Sequence, residues 1–207
     1  MGGRCEAILD KALRSIWERD AAQAAEIKGD DLEIDRLDVE IDVGVLKALA
    51  LQAPVAEDLR TVIAIKMIAT DLERVGDLAR NIAKSALRIA EHDSSLPLPA
   101  TLKPLASAAQ AALRRSLDAF SRVDTELARA VLAADDAIDE QQDEIVRQLL
   151  LELKQHPEAA SQEVDAILVA KNLERVADHA TNIAEHVVLV AEARNIKHEA
   201  KLQSHPS

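Results

Sequence analysis

One stretch of this chain occurs twice. Leu72-Glu-Arg-Val-Gly-Asp-Leu-Ala-Arg-Asn-Ile-Ala-Lys84 aligns with Leu173-Glu-Arg-Val-Ala-Asp-His-Ala-Thr-Asn-Ile-Ala-Glu185 at nine of thirteen positions. A weaker echo upstream pairs Asp31-x-x-Ile34-Asp35 with Asp135-x-x-Ile138-Asp139, and Glu40-Ile41 with Glu144-Ile145. Segments that recur in the same order in both halves describe one unit built twice.

Apolar spacing identifies the unit. Ile8, Ala12, Ile16, Ala24 and Ile27 recur every three to four residues and predict a first helix over about residues 4 to 28, ended by Gly29. Asp30 or Asp31 would cap a second, with a buried stripe of Ile34, Leu37, Ile41, Val45 and Ala48 closed by Pro54. A long third helix carries Ile65, Ile68, Leu72, Val75, Ala79, Ile82, Ala86 and Ile89, and ends near His92. Residues 93–104 hold three of the six prolines and two serines, the composition of a linker. The pattern then restarts. Leu105, Ala109, Ala112, Ser116, Phe120, Val123 and Leu127 line a fourth helix. Ile138, Ile145, Leu149 and Leu153 line a fifth, stopped at His156-Pro157, and Ile167, Ala170, Leu173, Val176, Ala180, Ile183 and Val187 a sixth. The expected fold is all-α, two tandem, internally repeated antiparallel three-helix bundles over 1–92 and 105–199, with a polar tail at 200–207. Composition agrees: Trp17 and Phe120 are the only aromatics and there are just five glycines, which favours helices packed through Ala, Leu, Ile and Val over sheets. Trp17 reads as core filler.

Charge narrows the partners. A formal net charge of -12 repels a phosphate backbone, so nucleic acid is not expected. The single cysteine, Cys5, supports neither an intrachain disulfide nor a thiolate metal site and fits a cytoplasmic protein. No stretch approaches the ~18 uncharged apolar residues of a membrane span, and no signal peptide is legible, so direct membrane insertion is not expected.

Acidic residues line one face of the repeated helices. Glu73 stacks beside Asp77 and Glu174 beside Asp178, one turn apart, with Asn81 and Asn182 a turn further on. The second helix adds Asp31, Asp35, Asp38 and Asp42; its counterpart adds Asp135, Asp139 and Asp143, with Gln142 in the place of Asp38. If these helices are neighbours, two carboxylate columns face each other in each unit. Like charges so placed cost roughly 0.2–0.5 kcal/mol per pair, and a multivalent cation would reverse that sign. Carboxylate and amide oxygens suit magnesium, calcium, manganese or iron better than a soft metal. The competing reading is a solvated face salt-bridged by Arg74, Arg80, Lys84 and Arg175. His179 beside Asp178 reads as a solvated histidine, since the first unit has Leu78 there. Arg74 and Arg175 read as partners of neighbouring acids rather than as anion ligands.

Pro54-Val-Ala-Glu-Asp-Leu-Arg60, with Ile68-Ala-Thr-Asp-Leu-Glu-Arg-Val-Gly-Asp77 and its second copy Val169-Ala-Lys-Asn-Leu-Glu-Arg-Val-Ala-Asp178, closely resembles the PhoU family over nearly the whole chain. The resemblance implies metal clusters held by Glu/Asp-x-x-x-Asp pairs, falling here on Asp31, Asp35, Glu73 and Asp77, and on Asp135, Asp139, Glu174 and Asp178, with Asp38, Asn81 and Asn182 as accessory groups. Iron is the metal expected, with zinc, manganese and magnesium as alternatives. It further implies a negative regulator of phosphate uptake and of the phosphate regulon, not an enzyme, whose partners are a phosphate ABC transporter's ATPase subunit and a sensor histidine kinase. A homo-oligomer stays open. Family members usually carry about twenty more residues before the point matching Met1-Gly-Gly, and a shorter first helix would leave apolar surface on its neighbours. Gly76 becoming Ala177 reads as a minor change between two small residues. Two alternatives remain: a metal-free helical scaffold, and a di-iron carboxylate enzyme, against which stands the absence of any Glu-x-x-His from the sequence.

Overall fold

The computed structural model describes residues 1–91 and 97–196. Helices α1 (Gly2–Glu18), α2 (Ala21–Gln52) and α3 (Ala56–Glu91) form the first repeat. The second comprises α4 (Leu102–Arg122), α5 (Thr125–Leu132), α6 (Asp135–Gln155), a 3₁₀ turn (Pro157–Ala159) and α7 (Ala160–Glu192). Among the described residues there is no β-strand and no helix long and apolar enough to cross a membrane.

The all-α expectation stands, but the first boundary moves. The helix predicted over 4–28 breaks at Arg19, whose backbone is left-handed (φ 51°), and Asp20 caps α2 by accepting a hydrogen bond from the Gln23 backbone N at 2.9 Å. Gly29 lies inside α2, and neither Asp30 nor Asp31 is a cap. A lone glycine costs about 1 kcal/mol against alanine, too little to end a helix held by buried Ile27 and Ile34 on either side. The same corner recurs in the second repeat: Val123 is left-handed (φ 52°), and Asp124 accepts from Leu127 N at 3.0 Å. The fourth helix therefore ends at Arg122, Leu127 belongs to α5, and α5 with α6 takes the place of α2. Three- to four-residue periodicity survives these corners, so spacing alone could not reveal them. α4 starts at Leu102, inside the predicted 93–104 linker, while His92, residues 93–96 and the 200–207 tail lie outside the described residues.

α3 and α7 pack on each other along much of their length, and the remaining helices flank them: α1 and α2 on α3, α4 to α6 on α7. One continuous core results, running from Ile8, Leu9 and Leu13 through Val75, Ile82 and Leu173 to Leu113, Ile145 and Leu149. Trp17 is only partly buried at its edge, under Lys103, whose Nζ stands 5.5 Å from the ring centroid.

The far end of the first repeat is thinly covered. At 1.5 Å per residue α1 spans about 25 Å, against about 48 Å for α2. Of the predicted α2 stripe only Ile34 is fully buried. Leu46, Leu51 and Val55 are 66, 82 and 72% exposed, and Val39, Val43 and Ile63 are exposed beside them. Apolar surface is thus uncovered at this end of α2 and α3.

Candidate functional site: two acidic clusters

Gly76 lets α2 and α3 approach closely: a methyl group there would stand 3.0 Å from Asp31 Oδ1 and 3.0 Å from Ile34 Cδ1. Asp31 consequently sinks against α3 and is 2% exposed. It meets Asp77 across a guanidinium. Arg80 donates from Nη1 to Asp31 Oδ2 and from Nη2 to Asp77 Oδ1, both at 2.6 Å. Asp35, Asp38 and Glu73 lie close enough to interact electrostatically. Burial raises the Asp31 carboxyl pKa, with Arg80 opposing and Asp35 and Asp77 adding to the rise. Burial also raises that of Glu73, with Arg74 opposing and Asp77, Asp35 and Asp38 adding to it. Arg74 lies beside Glu73 at 3.4 Å and Asp77 at 3.5 Å, as a structural partner of acids. Two accessory candidates have other engagements: Asp38 faces Lys66 at 3.4 Å, and Asn81 Oδ1 accepts from Lys84 Nζ at 3.2 Å.

The second cluster is built on α6 and α7 from equivalent positions. One carboxylate oxygen each from Asp135, Asp139 and Asp178 lies within 4.8 Å of the others, with Asp135 half-buried and Asp139 and Asp178 exposed. At the position of Arg80 stands Thr181, whose Oγ1 is 3.0 Å from Asp135 Oδ1 and 3.0 Å from the Ala177 carbonyl oxygen. Burial raises the pKa of Asp139, reinforced by Asp135, Asp178, Asp136 and Asp143. Burial raises that of Glu174 too, reinforced by Asp178 and Asp139 and opposed by Lys171 and Arg175. A cation would relieve this crowding.

The two clusters answer the test of metal fit differently. Asp135, Asp139 and Asp178 offer hard oxygen donors, close together and reachable from solvent, which suits an oxygen-preferring cation. In the first cluster the corresponding Asp31 and Asp77 oxygens already hold a guanidinium, and the donor set does not fit an added ion. There the salt-bridged reading of the acidic face describes the geometry better. The residue change behind the difference stands in the repeat alignment, where Arg80 opposite Thr181 is one of four mismatches, but the direction in which Arg80 points does not.

His179 and Asn182 belong elsewhere. Asp71 of α3 accepts from His179 Nδ1 at 2.8 Å and from Asn182 Nδ2 at 3.1 Å, with His186 Nε2 3.6 Å away. His179 is therefore not solvated, and the amide of Asn182 binds the α3–α7 junction. Sequence reading missed this group. Its traces were two differences between the repeats, Asp71 against Asn172 and Leu78 against His179.

Comparison with known proteins agrees with the repeat. The family model for the PhoU domain matches residues 1–86 and again 102–187. A Pseudomonas aeruginosa protein named phosphate-specific transport system accessory protein PhoU homolog is 31% identical over 198 residues, 96% of this chain and 82% of that protein. One of the same name from Caulobacter vibrioides is 36% identical over 185 residues, 89% and 80% of the two chains. The crystal structure of PhoU from Pseudomonas aeruginosa superposes with a TM-score of 0.91 at 31% identity, covering 94% of this chain and 93% of that one. That of the phosphate transport system regulatory protein PhoU from Streptococcus pneumoniae gives 0.86 at 26% identity, covering 94% and 91%. With the twice-matched domain, the conserved length and the shared fold together, this chain belongs to the PhoU family.

Proposed function

We propose that this chain is a cytoplasmic, non-enzymatic regulator of phosphate uptake, one that associates with a phosphate ABC transporter through its ATPase subunit and with a sensor histidine kinase to keep the phosphate regulon off when phosphate is plentiful. The observation that carries the reading is the double PhoU-domain match in a chain whose relatives are named accessory proteins of phosphate-specific transport. A metal ion at Asp135, Asp139 and Asp178, with Glu174 beside them, would supply positive charge and fix the relative position of α6 and α7. It would act as part of a docking surface rather than as a reaction centre. The acid-lined α6–α7 face supports this role: its carboxylates are crowded at the surface, where a bound cation and a partner can both reach them.

The test is alkaline phosphatase activity in phosphate-rich medium, in a bacterium lacking its own phosphate regulator and supplied with this chain. Repression by the wild type is expected, with loss of repression in an Asp139→Ala, Asp178→Ala variant that stays helical and soluble. Repression by both would keep the regulatory role and remove the cluster from it. Failure of both, with soluble protein confirmed, would refute the regulatory reading in that host and favour the bare scaffold.

A further inference from the structure

The two acidic clusters sit at equivalent positions of a repeated unit yet differ in the residue set between their carboxylates. Arg80 and Thr181 occupy the same place on α3 and α7. Arg80 extends between Asp31 and Asp77, the counterparts of Asp135 and Asp178, and binds an oxygen of each at 2.6 Å. Thr181 reaches only Asp135, with a neutral hydroxyl. Gly76 in place of Ala177 removes the methyl that would press on Asp31, and Asp31 lies buried where its counterpart Asp135 is half-buried. We infer that Arg80 is a built-in counter-cation of the first repeat, so that its acidic cluster takes no metal ion and the chain offers such an ion one carboxylate site, in the second repeat, rather than two.

The chemistry favours this assignment. A guanidinium stays charged throughout the range in which proteins are folded and presents its donors in a planar fork, so it can hold two carboxylates at once. A divalent ion entering the first cluster would have to displace both charge-assisted bonds and would leave Arg80 facing a second positive charge. The arrangement also makes the repeats unequal: the first carries a fixed guanidinium between two of its carboxylates at every metal concentration, and the second has a neutral threonine at that place. The asymmetry rests on the proposed metal at the second cluster, but the role of Arg80 can be tested apart from it.

The experiment is a titration of metal-stripped full chain with Mn²⁺ alone, counting sites by calorimetry and by the loss of free-ion paramagnetic resonance signal, with helicity checked by circular dichroism. Wild type is expected to bind one ion, Arg80→Thr two and Thr181→Arg none. A folded R80T variant with the same number of sites as wild type overturns the inference. Two sites in wild type overturn it as well, while leaving the metal at the second repeat intact. No site in wild type and one in R80T would uphold Arg80 as the internal cation and refute the metal at Asp135, Asp139 and Asp178. If R80T does not fold, Asp77→Asn and Asp178→Asn decide: the site must vanish with D178N and persist in D77N, and its loss with D77N overturns the inference.

Discussion

Replacing Asp71 by asparagine tests the junction between the repeats. The wild-type carboxylate is only 13% exposed and faces His179, Asn182 and His186 of α7. An ionised carboxylate can only accept hydrogen bonds, so His179 Nδ1 is the donor in that contact. Burial alone would raise the pKa of Asp71, but the polar contacts from His179, His186 and Asn182 outweigh it and hold the group at about 2, against 3.8 for an ordinary aspartate. A carboxyl whose pKa is depressed on folding stabilises the folded state at pH values above its unfolded pKa, and that contribution fades as pH falls through the folded one. At 1.36 kcal/mol per unit the contribution is on the order of 2 kcal/mol at neutral pH. Asp71→Asn keeps the volume, removes the charge and turns an NH₂ toward groups that are themselves donors. It should cost about 2 kcal/mol at pH 7, or roughly 4–8 °C in Tm for a domain of this size. The assay is urea denaturation of both proteins at pH 7 and at steps from pH 5 to pH 2. The cost should be constant down to about pH 4 and shrink toward pH 2. An unchanged midpoint at pH 7, or a difference that persists undiminished at pH 2, would refute the reasoning.

Other consequences can be read locally. Glu163 is 2% exposed and its Oε2 has no hydrogen-bond partner among the described residues, while burial and then Glu152 raise its carboxyl pKa. Ionisation therefore opposes folding, so Glu163→Gln should raise stability by about 1 kcal/mol at pH 7, and chemical denaturation should show that gain shrinking as pH falls through the raised pKa. Val123 holds a left-handed backbone (φ 52°) while half its side chain is exposed, so Val123→Gly should raise the thermal midpoint, by about 1 kcal/mol in stability terms, through relief of the Cβ clash. Cys5 is fully buried, donates to the Leu72 carbonyl oxygen at 3.3 Å, and has its thiol pKa pushed up to about 12, first of all by burial. It should resist a chromogenic disulfide reagent in the native protein and react on unfolding, whereas rapid labelling in native buffer would contradict that burial.

Much of this architecture could be read directly from the residues because the repeat and the apolar periodicity point the same way. The stripe from Ile68 to Ile89 is buried as its spacing requires, as is the one from Ala170 to Val187. What escaped was the chain's behaviour at Arg19 and Val123, where a left-handed residue followed by an aspartate turns a corner without disturbing the apolar phase. Asp20 and Asp124 have the same separation in sequence as Asp31 and Asp135, so the repeat itself carried the missing signal. The acidic faces were legible as columns, since i, i+4 spacing fixes them on one side of a helix. Which carboxylates already had a cation was not, because Arg80 could have turned to solvent as Arg74 largely does. Its direction follows from how far Asp31 sinks, and that depends on the gap left by Gly76. His179 was misread for a related reason: its partner Asp71 lies 108 residues away, on the other repeat.

The α3–α7 packing turns the duplication into an intramolecular association. Alone, either repeat would leave the apolar face of its longest helix bare, and the surface shaped to cover it is the other repeat. Two separate polypeptides would meet in that way only at sufficient concentration. Joined end to end, each sees its complement at an effective concentration on the order of millimolar, whatever the amount of protein in the cell. The relative placement of the two repeats, and of the acidic cluster each carries, is thereby made independent of expression level.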